Sequence, residues 1–258
     1  MSDLSNLIDS ALLKRERESP ARDYLGGSTW GEPCARKLAF GWHGVPTDKT
    51  DKFPPRILRI FEMGHDSEPR VAEHLRLAGF KLLTETADGE QFGFTALGGK
   101  LKGHCDGIIV SGPLDLPYPI VWENKAVGAG IWKAVTKDGL KVGKPVYYGQ
   151  IQTYCAYIEL PDGQVLNGGL FTMINRETGE IHDEFVPFDG VKAQDLSDRA
   201  VAVVESGKPE DLPRISDRAD WWECSFCDYR KHCHGIKELE VNKKPEVSAF
   251  PVWMTKGK

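Results

Sequence analysis

The chain has 258 residues, long for one compact domain and short for two full ones, so it reads as one core with an appended piece. Hydrophobic residues make up 40% and charged residues 28%, which excludes a mostly disordered or fibrous protein. A formal net charge of -5 argues against a protein that coats nucleic acid with its whole surface, and leaves room for a local basic groove.

No apolar run approaches the roughly 20 residues needed to span a bilayer, and residues 1–10 lack a signal-like start, so a cytoplasmic protein with no membrane partner is expected. In a reducing compartment the six cysteines point to metal or cluster ligation rather than three disulfides. The charge run Lys14-Arg15-Glu16-Arg17-Glu18, followed by Pro20 and Gly26-Gly27, predicts a short helix leading into a loop. Residues 56–77 carry apolar side chains at helical spacing and stop at Gly79; Pro69 implies a kink, or a new helix whose first turn holds Glu68. Residues 80–110 alternate around turns at Asp88-Gly89 and Gly98-Gly99, which predicts a three-stranded meander. A strand over 120–125, a helix over 147–160, a hairpin over 165–186 and an amphipathic helix over 191–205 complete the core. The tail from 211 has little periodicity, so something other than an apolar core must order it. The segments are an N-terminal piece, 1–55; a core, 56–206; and a cysteine-rich clasp and tail, 207–258.

Chemistry concentrates at a few places. Asp106 is an acid in a run of small and β-branched residues. In the next strand Glu123 and Lys125 share a face, because side chains alternate with period two. Two carboxylates beside a lysine make a hard oxygen site suited to Mg²⁺ or Mn²⁺, although a surface salt bridge would give the same local pattern. Gly64-His65-Asp66-Ser67-Glu68 adds a histidine and an acid on the preceding helix, and Gln150 and Tyr154 stand four residues apart on the helix that follows. Cys224, Cys227 and Cys233 form a C-x₂-C-x₅-C that needs a fourth ligand, for which Cys34, His232, His234 and the remaining cysteines are candidates; His234 would complete a zinc site within the tail. Cys105 and Cys155 read as core packing. Lys133, Lys137, Lys141 and Lys144, with Trp132 beside them, could line a single-strand path or form a solvated face; Gly139 and Gly143 there predict a loop. Arg56, Arg59 and Arg70 are further phosphate candidates.

Taken in chain order, Gly64 with Glu68, Asp106, Glu123 with Lys125, and Gln150 with Tyr154 resemble the RecB-like branch of the PD-(D/E)XK nuclease superfamily. Cys34 upstream with Cys224, Cys227 and Cys233 downstream resembles the iron-sulfur pattern of that branch, as in AddB-type, CRISPR-associated and phage-encoded members. The resemblance implies an α/β restriction-endonuclease-like mixed sheet flanked by helices, with a cluster, 4Fe-4S by type, clasping the two ends. It implies a Mg²⁺- or Mn²⁺-dependent exonuclease on single-stranded or frayed DNA ends, with endonuclease side activity possible. Glu68 or His65, Asp106, Glu123 and the Asn124 carbonyl would hold metal, Lys125 would stabilise charge, and Gln150 and Tyr154 would position the DNA strand or Lys125. No Gly-x₄-Gly-Lys-Ser/Thr loop is present, so unwinding would need a helicase, recombination or adaptation partner. The competing expectation is a non-catalytic nucleic-acid-binding or assembly module with the same fold.

Overall fold

A computed structural model describes residues 3–20, 22–49, 53–161 and 163–236. In chain order its elements are α1 (Asp3–Glu18), β1 (Leu25–Gly26), α2 (Ala35–Trp42), α3 (Pro55–Leu77), β2 (Lys81–Leu83), β3 (Gly93–Ala96), β4 (Leu101–His104), β5 (Gly107–Ser111) and β6 (Ile120–Val127). Then come α4 (Ala129–Asp138), α5 (Leu140–Gly143), α6 (Pro145–Tyr157), β7 (Gly168–Asn175), β8 (Ile181–Pro187), α7 (Gly190–Glu205), α8 (Trp222–Ser225) and α9 (Arg230–His234). No described helix is long and apolar enough to cross a membrane. Part of the tail, 237–258, lies outside the described residues.

A five-stranded mixed sheet, ordered β2-β5-β6-β7-β8, forms the centre; β6 and β7 run parallel and the other pairs antiparallel. The pleat divides β6 between two cores. Ile120 and Trp122 face α3 with Val71, Ala72, Ile109 and Leu170, whereas Val121 joins Ile151, Phe171, Met173 and the α7 residues on the other side. The fold is thus a mixed sheet flanked by helices on both faces.

Three sequence expectations need correction. The 80–110 segment is not one meander: β2 and β5 pair with each other in the large sheet, while β3 and β4 form a hairpin that joins β1 in a separate three-stranded sheet. Alternation alone cannot say which sheet a strand enters. Asp106 lies in the link between the two sheets rather than within a strand. Second, α3 continues through Pro69 for 23 residues, so no new helix begins at Glu68. Proline costs one backbone bond, and the helix has apolar anchors on both sides of it in Leu58, Val71 and Ala72. Third, 129–143 is two helices rather than a loop. Gly139, at φ +74°, makes the break between α4 and α5, and Gly143 lets α5 close on α4, since a Cβ there would meet Ala134 O at 2.6 Å.

The N-terminal piece packs tightly on α6. A Cβ on Gly31 would lie 2.8 Å from both Cα and O of Val146, backbone atoms that cannot swing away. Gly31→Ala should therefore cost roughly 1–3 kcal/mol and lower the melting temperature by several degrees. Gly130→Ala, in α4 with nothing within 4 Å of the added methyl, should be neutral or slightly stabilising. Equal melting temperatures for the two variants would refute this account of the packing.

Candidate active site and cysteine cavity

The β5–β6 ladder ends at the pair Gly107–Trp122, while β6 runs on beside β7 to Val127. Beyond that point one side of β6 loses its partner strand. The Asn124 amide on that side donates to Asp106 Oδ2 at 2.7 Å, which satisfies the open backbone group and holds Asp106 beside Glu123. Asn124 also fixes α3, because its Nδ2 donates to Ser67 Oγ at 3.1 Å while its Oδ1 accepts from Thr172 Oγ1 at 3.0 Å. Ser67 precedes Glu68, so this bond sets the helix turn that brings Glu68 to the end of the ladder.

Glu123 is 1% exposed. Its Oε1 pairs with Lys125 Nζ and accepts from Gln150 Nε2 at 2.7 Å, and the same Gln150 nitrogen donates to Tyr154 Oη at 3.0 Å. Its Oε2 is buried with no hydrogen-bond partner. Burial first, and the Asp106 charge second, push the Glu123 carboxyl up to about 8. Burial likewise raises Asp106 and Glu68, the latter helped by the charge of Asp106. Lys125 is raised as well: burial works against its charge, but attraction to Glu123 and Asp106 outweighs it. Crowded carboxylates and one ammonium therefore share protons here, although as placed no three acidic, histidine or cysteine side chains among the described residues come close enough to hold one metal ion.

The predicted residues converge. Glu68, Asp106, Glu123 and Lys125 meet as a single electrostatic cluster, and His65 joins at its rim, 3.4 Å from Glu68 but 79% exposed in its side chain. Gln150 and Tyr154 need reassignment. Both are buried; Gln150 bonds Glu123, which pairs with Lys125, and Tyr154 accepts from Gln150 beneath it. Among the cationic candidates, Lys133 and Lys137 are exposed on α4, and Lys141 is engaged with Asp189 and Tyr148. Lys144 lies 5.4 Å from the Tyr147 ring centroid, near the cluster. Trp132 is partly buried against the core, edge-on to His182 at 6.2 Å. Arg59 is paired with Asp9 and Arg56 and Arg70 are exposed. Tyr147 was not anticipated; it covers Lys125, its ring centroid 5.6 Å from Nζ, and only its aromatic character three residues before Gln150 marked it in the sequence.

A second assembly lies where the chain ends meet. Cys34, at the start of α2, lines one cavity of about 520 Å³ with Cys224, Cys227, Cys233 and His234. Burial raises the three C-terminal thiols, and mutual repulsion with Cys34 adds to it; Arg36, Arg214 and Lys37 pull the other way. As placed, no three His, Cys, Asp or Glu side chains among the described residues are close enough to hold one metal ion. The ends are joined by polar bonds: Arg36 donates to the carbonyls of Leu212 and Glu210, and Asp48 accepts from the Lys231 amide at 2.7 Å. Phe40 stacks on Tyr229 at 5.1 Å. Cys105 and Cys155 are buried away from the cavity, as expected of packing residues.

No protein-family model matches the chain, and no curated protein matches it in sequence. Among solved structures, SSO0001 aligns at a TM-score of 0.46 with 15% identity, covering 88% of this chain and 94% of that one. An alkaline exonuclease (LHK-Exo) from Laribacter hongkongensis aligns at 0.45 with 13% identity, over 77% of this chain and 90% of that one. Its complex with dAMP gives 0.45 and 14% over the same shares. At these values the chemistry has to be read from the side chains themselves.

The proton balance at Glu123 is measurable. Its folded pKa of about 8 lies above its ordinary value of 4.5, so between those limits the folded, metal-free protein holds a proton that the unfolded chain has released. Stability in EDTA should therefore fall as pH rises from about 5 to 8, and Glu123→Gln should flatten that slope. Thermal melting across this range checks it; equal slopes for the two proteins would remove Glu123 as the cause.

Proposed function

We propose that the chain is a metal-dependent deoxyribonuclease of the RecB-like PD-(D/E)XK branch, acting as an exonuclease on single-stranded or frayed DNA ends. The observation that carries this reading is Glu123 Oε2, a buried carboxylate oxygen with no donor, set among Asp106, Glu68 and Lys125. An unsatisfied buried oxygen is costly, and a hard divalent ion is the partner that an all-carboxylate donor set suits. As placed, Glu68, Asp106 and Glu123 are not close enough to share one ion; drawn together they would hold Mg²⁺ or Mn²⁺, and the Asn124 carbonyl is the proposed further ligand. Such an ion, when bound, supplies Lewis acidity toward water and the phosphoryl oxygens.

The chain's own residues do the rest. Lys125 is charged across the physiological range and places its ammonium where negative charge grows on the attacked phosphate. Gln150, itself anchored on Tyr154, keeps Glu123 from turning away. Asp106 stays aligned through the Asn124 amide. Water adds at phosphorus and one P–O bond to sugar breaks, leaving a phosphate on one fragment and a hydroxyl on the other. Lys133, Lys137 and Lys144 offer the strand a cationic path, and any unwinding would fall to a separate helicase. A non-catalytic binding module would not need three acids and a lysine gathered around an empty oxygen valence.

The cysteine cavity is read as an iron-sulfur clasp, 4Fe-4S by type, held by Cys34, Cys224, Cys227 and Cys233. Four thiols from opposite ends of the chain line one cavity, and Arg36, Arg214 and Lys37 would complement an anionic cluster.

Alanine at Asp106, Glu123 or Lys125 should lower Mn²⁺-dependent cleavage of end-labelled single-stranded DNA by roughly 10² or more, while Glu68→Ala should raise the Mn²⁺ requirement more than His65→Ala does. Undiminished cutting by both the Asp106 and Glu123 variants would disprove the assignment.

For the clasp, protein purified without oxygen should be brown and contain iron and acid-labile sulfide. Cys34→Ser should lose the colour and Cys105→Ser should keep it. A colourless protein with one zinc per chain, indifferent to Cys34→Ser, would point to His234 as fourth ligand instead, since its Nε2 is buried in that region without a partner.

A further inference from the structure

Around Tyr147, which covers Lys125, three donor side chains lack an acceptor among the described residues. Arg176, one residue past the end of β7, has a buried Nε with no partner, and no ion pair engages its guanidinium among the described residues. Its Nη2 lies against the turn from β6 into α4, where a Cβ on Gly128 would be 3.2 Å away. The neighbouring acid, Glu177, comes to the same turn, its Oε1 3.8 Å from that Cβ position, but accepts from the Ala129 amide at 3.3 Å and forms no ion pair with Arg176. Lys144 makes no ion pair among the described residues either; its Nζ rests over the Tyr147 ring, which on its other contacts meets Lys125 and tilts against Phe171 at 6.0 Å. The Tyr147 hydroxyl has no protein hydrogen bond among the described residues. Burial keeps it protonated, against the pull of Lys125 and Arg176, so it acts as a donor.

Two cations and a hydroxyl that face no acceptor make a poor structural cluster and a good anion site. Tyr147 and Lys144 also stand at the start of α6, whose first turn has no side-chain cap and whose dipole favours an anion there. We propose that Arg176, Lys144 and Tyr147 form a second phosphate subsite, which holds the phosphodiester adjacent to the one beside Lys125. This rests on the nuclease reading and specifies its substrate: a strand with at least two consecutive phosphates. Arg176 supplies the planar fork, Lys144 a mobile charge and Tyr147 a fixed neutral donor. The three are positioned by three different segments, the end of β7, the α5–α6 junction and α6.

The test uses fluorescence anisotropy of a fluorescein-labelled oligothymidylate with the full chain carrying Asp106→Asn, which should not cut, in the presence of Mn²⁺. Adding Arg176→Gln should weaken binding about tenfold and reduce the salt slope by about 0.7. Lys144→Gln should act in the same direction, and Arg176→Lys should restore the salt slope, which follows charge, but only part of the affinity, which also needs the planar fork. One methylphosphonate next to the scissile position should weaken the parent protein and leave the Arg176→Gln variant unchanged. With Asp106 restored, Arg176→Gln should raise KM more than it lowers kcat. Unchanged affinity and salt slope in both the Arg176→Gln and Lys144→Gln variants, with the unmodified chain still cutting DNA, would overturn the subsite and leave the nuclease reading intact. An unmodified chain that neither binds nor cuts the oligonucleotide would defeat both.

Discussion

Burying one carboxylate, Glu123, sets the terms for the middle of this protein. A 1%-exposed acid needs compensation, and each neighbouring element contributes some. Within β6, Lys125 returns to pair with it, and α6 places Gln150 under the same oxygen. The early end of the β5–β6 ladder opens the space above it, and Asp106 fills the vacated backbone position. One oxygen remains unserved. That residual frustration concentrates what the fold could otherwise have hidden under an apolar residue, and it is the reason the cluster reads as chemistry rather than as a salt bridge.

The two halves of the site are tied together from opposite faces of the sheet. Glu123 faces α6, whereas Asn124 faces α3 through Ser67. Adjacent residues of one strand thus set the positions of helices that never meet through the sheet. A hydrogen-bonded run of Trp122, Thr172, Asn124 and Ser67 carries the α3 side through a core that is otherwise apolar. Each link is worth about 1 kcal/mol net; the larger effect is orientation, since Glu68 follows directly from Ser67.

The cysteine cavity is not remote from this arrangement. Its wall includes Lys144, Pro145 and Val146, the start of the helix that carries Tyr147, Gln150 and Tyr154. Gly31 presses on Val146 from the segment just before Cys34. The C-terminal segment has little core of its own, since only Pro209, Cys224 and Tyr229 are buried among the described residues after 205. The cavity wall and the carboxylate cluster therefore share α6, with polar bonds from Arg36 and Asp48 tying the chain ends together.

Residue types and spacing, together with a family resemblance, singled out Asp106, Glu123, Lys125, Gln150 and Tyr154 as candidates, because each belongs to a short motif that can be read without knowledge of the fold. The helical stretch around Glu68, though not its continuity through Pro69, the β7–β8 hairpin and the α7 helix were legible for a similar reason: their apolar periodicities are local. Partnership was not. Alternation in 80–110 could not tell one sheet from two, and glycines that look like loop formers at 139 and 143 turned out to be a break and a close contact between helices. Nor could the sequence say that Gln150 and Tyr154 lie beneath Glu123, that Tyr147 covers Lys125, or that Arg176 Nε is buried without a partner. The sequence by itself determined which side chains can do chemistry and in what order they occur. Only the tertiary structure decided which of them are buried, which share a partner and which are left unsatisfied, because burial and pairing are properties of segments far apart in the chain brought into contact.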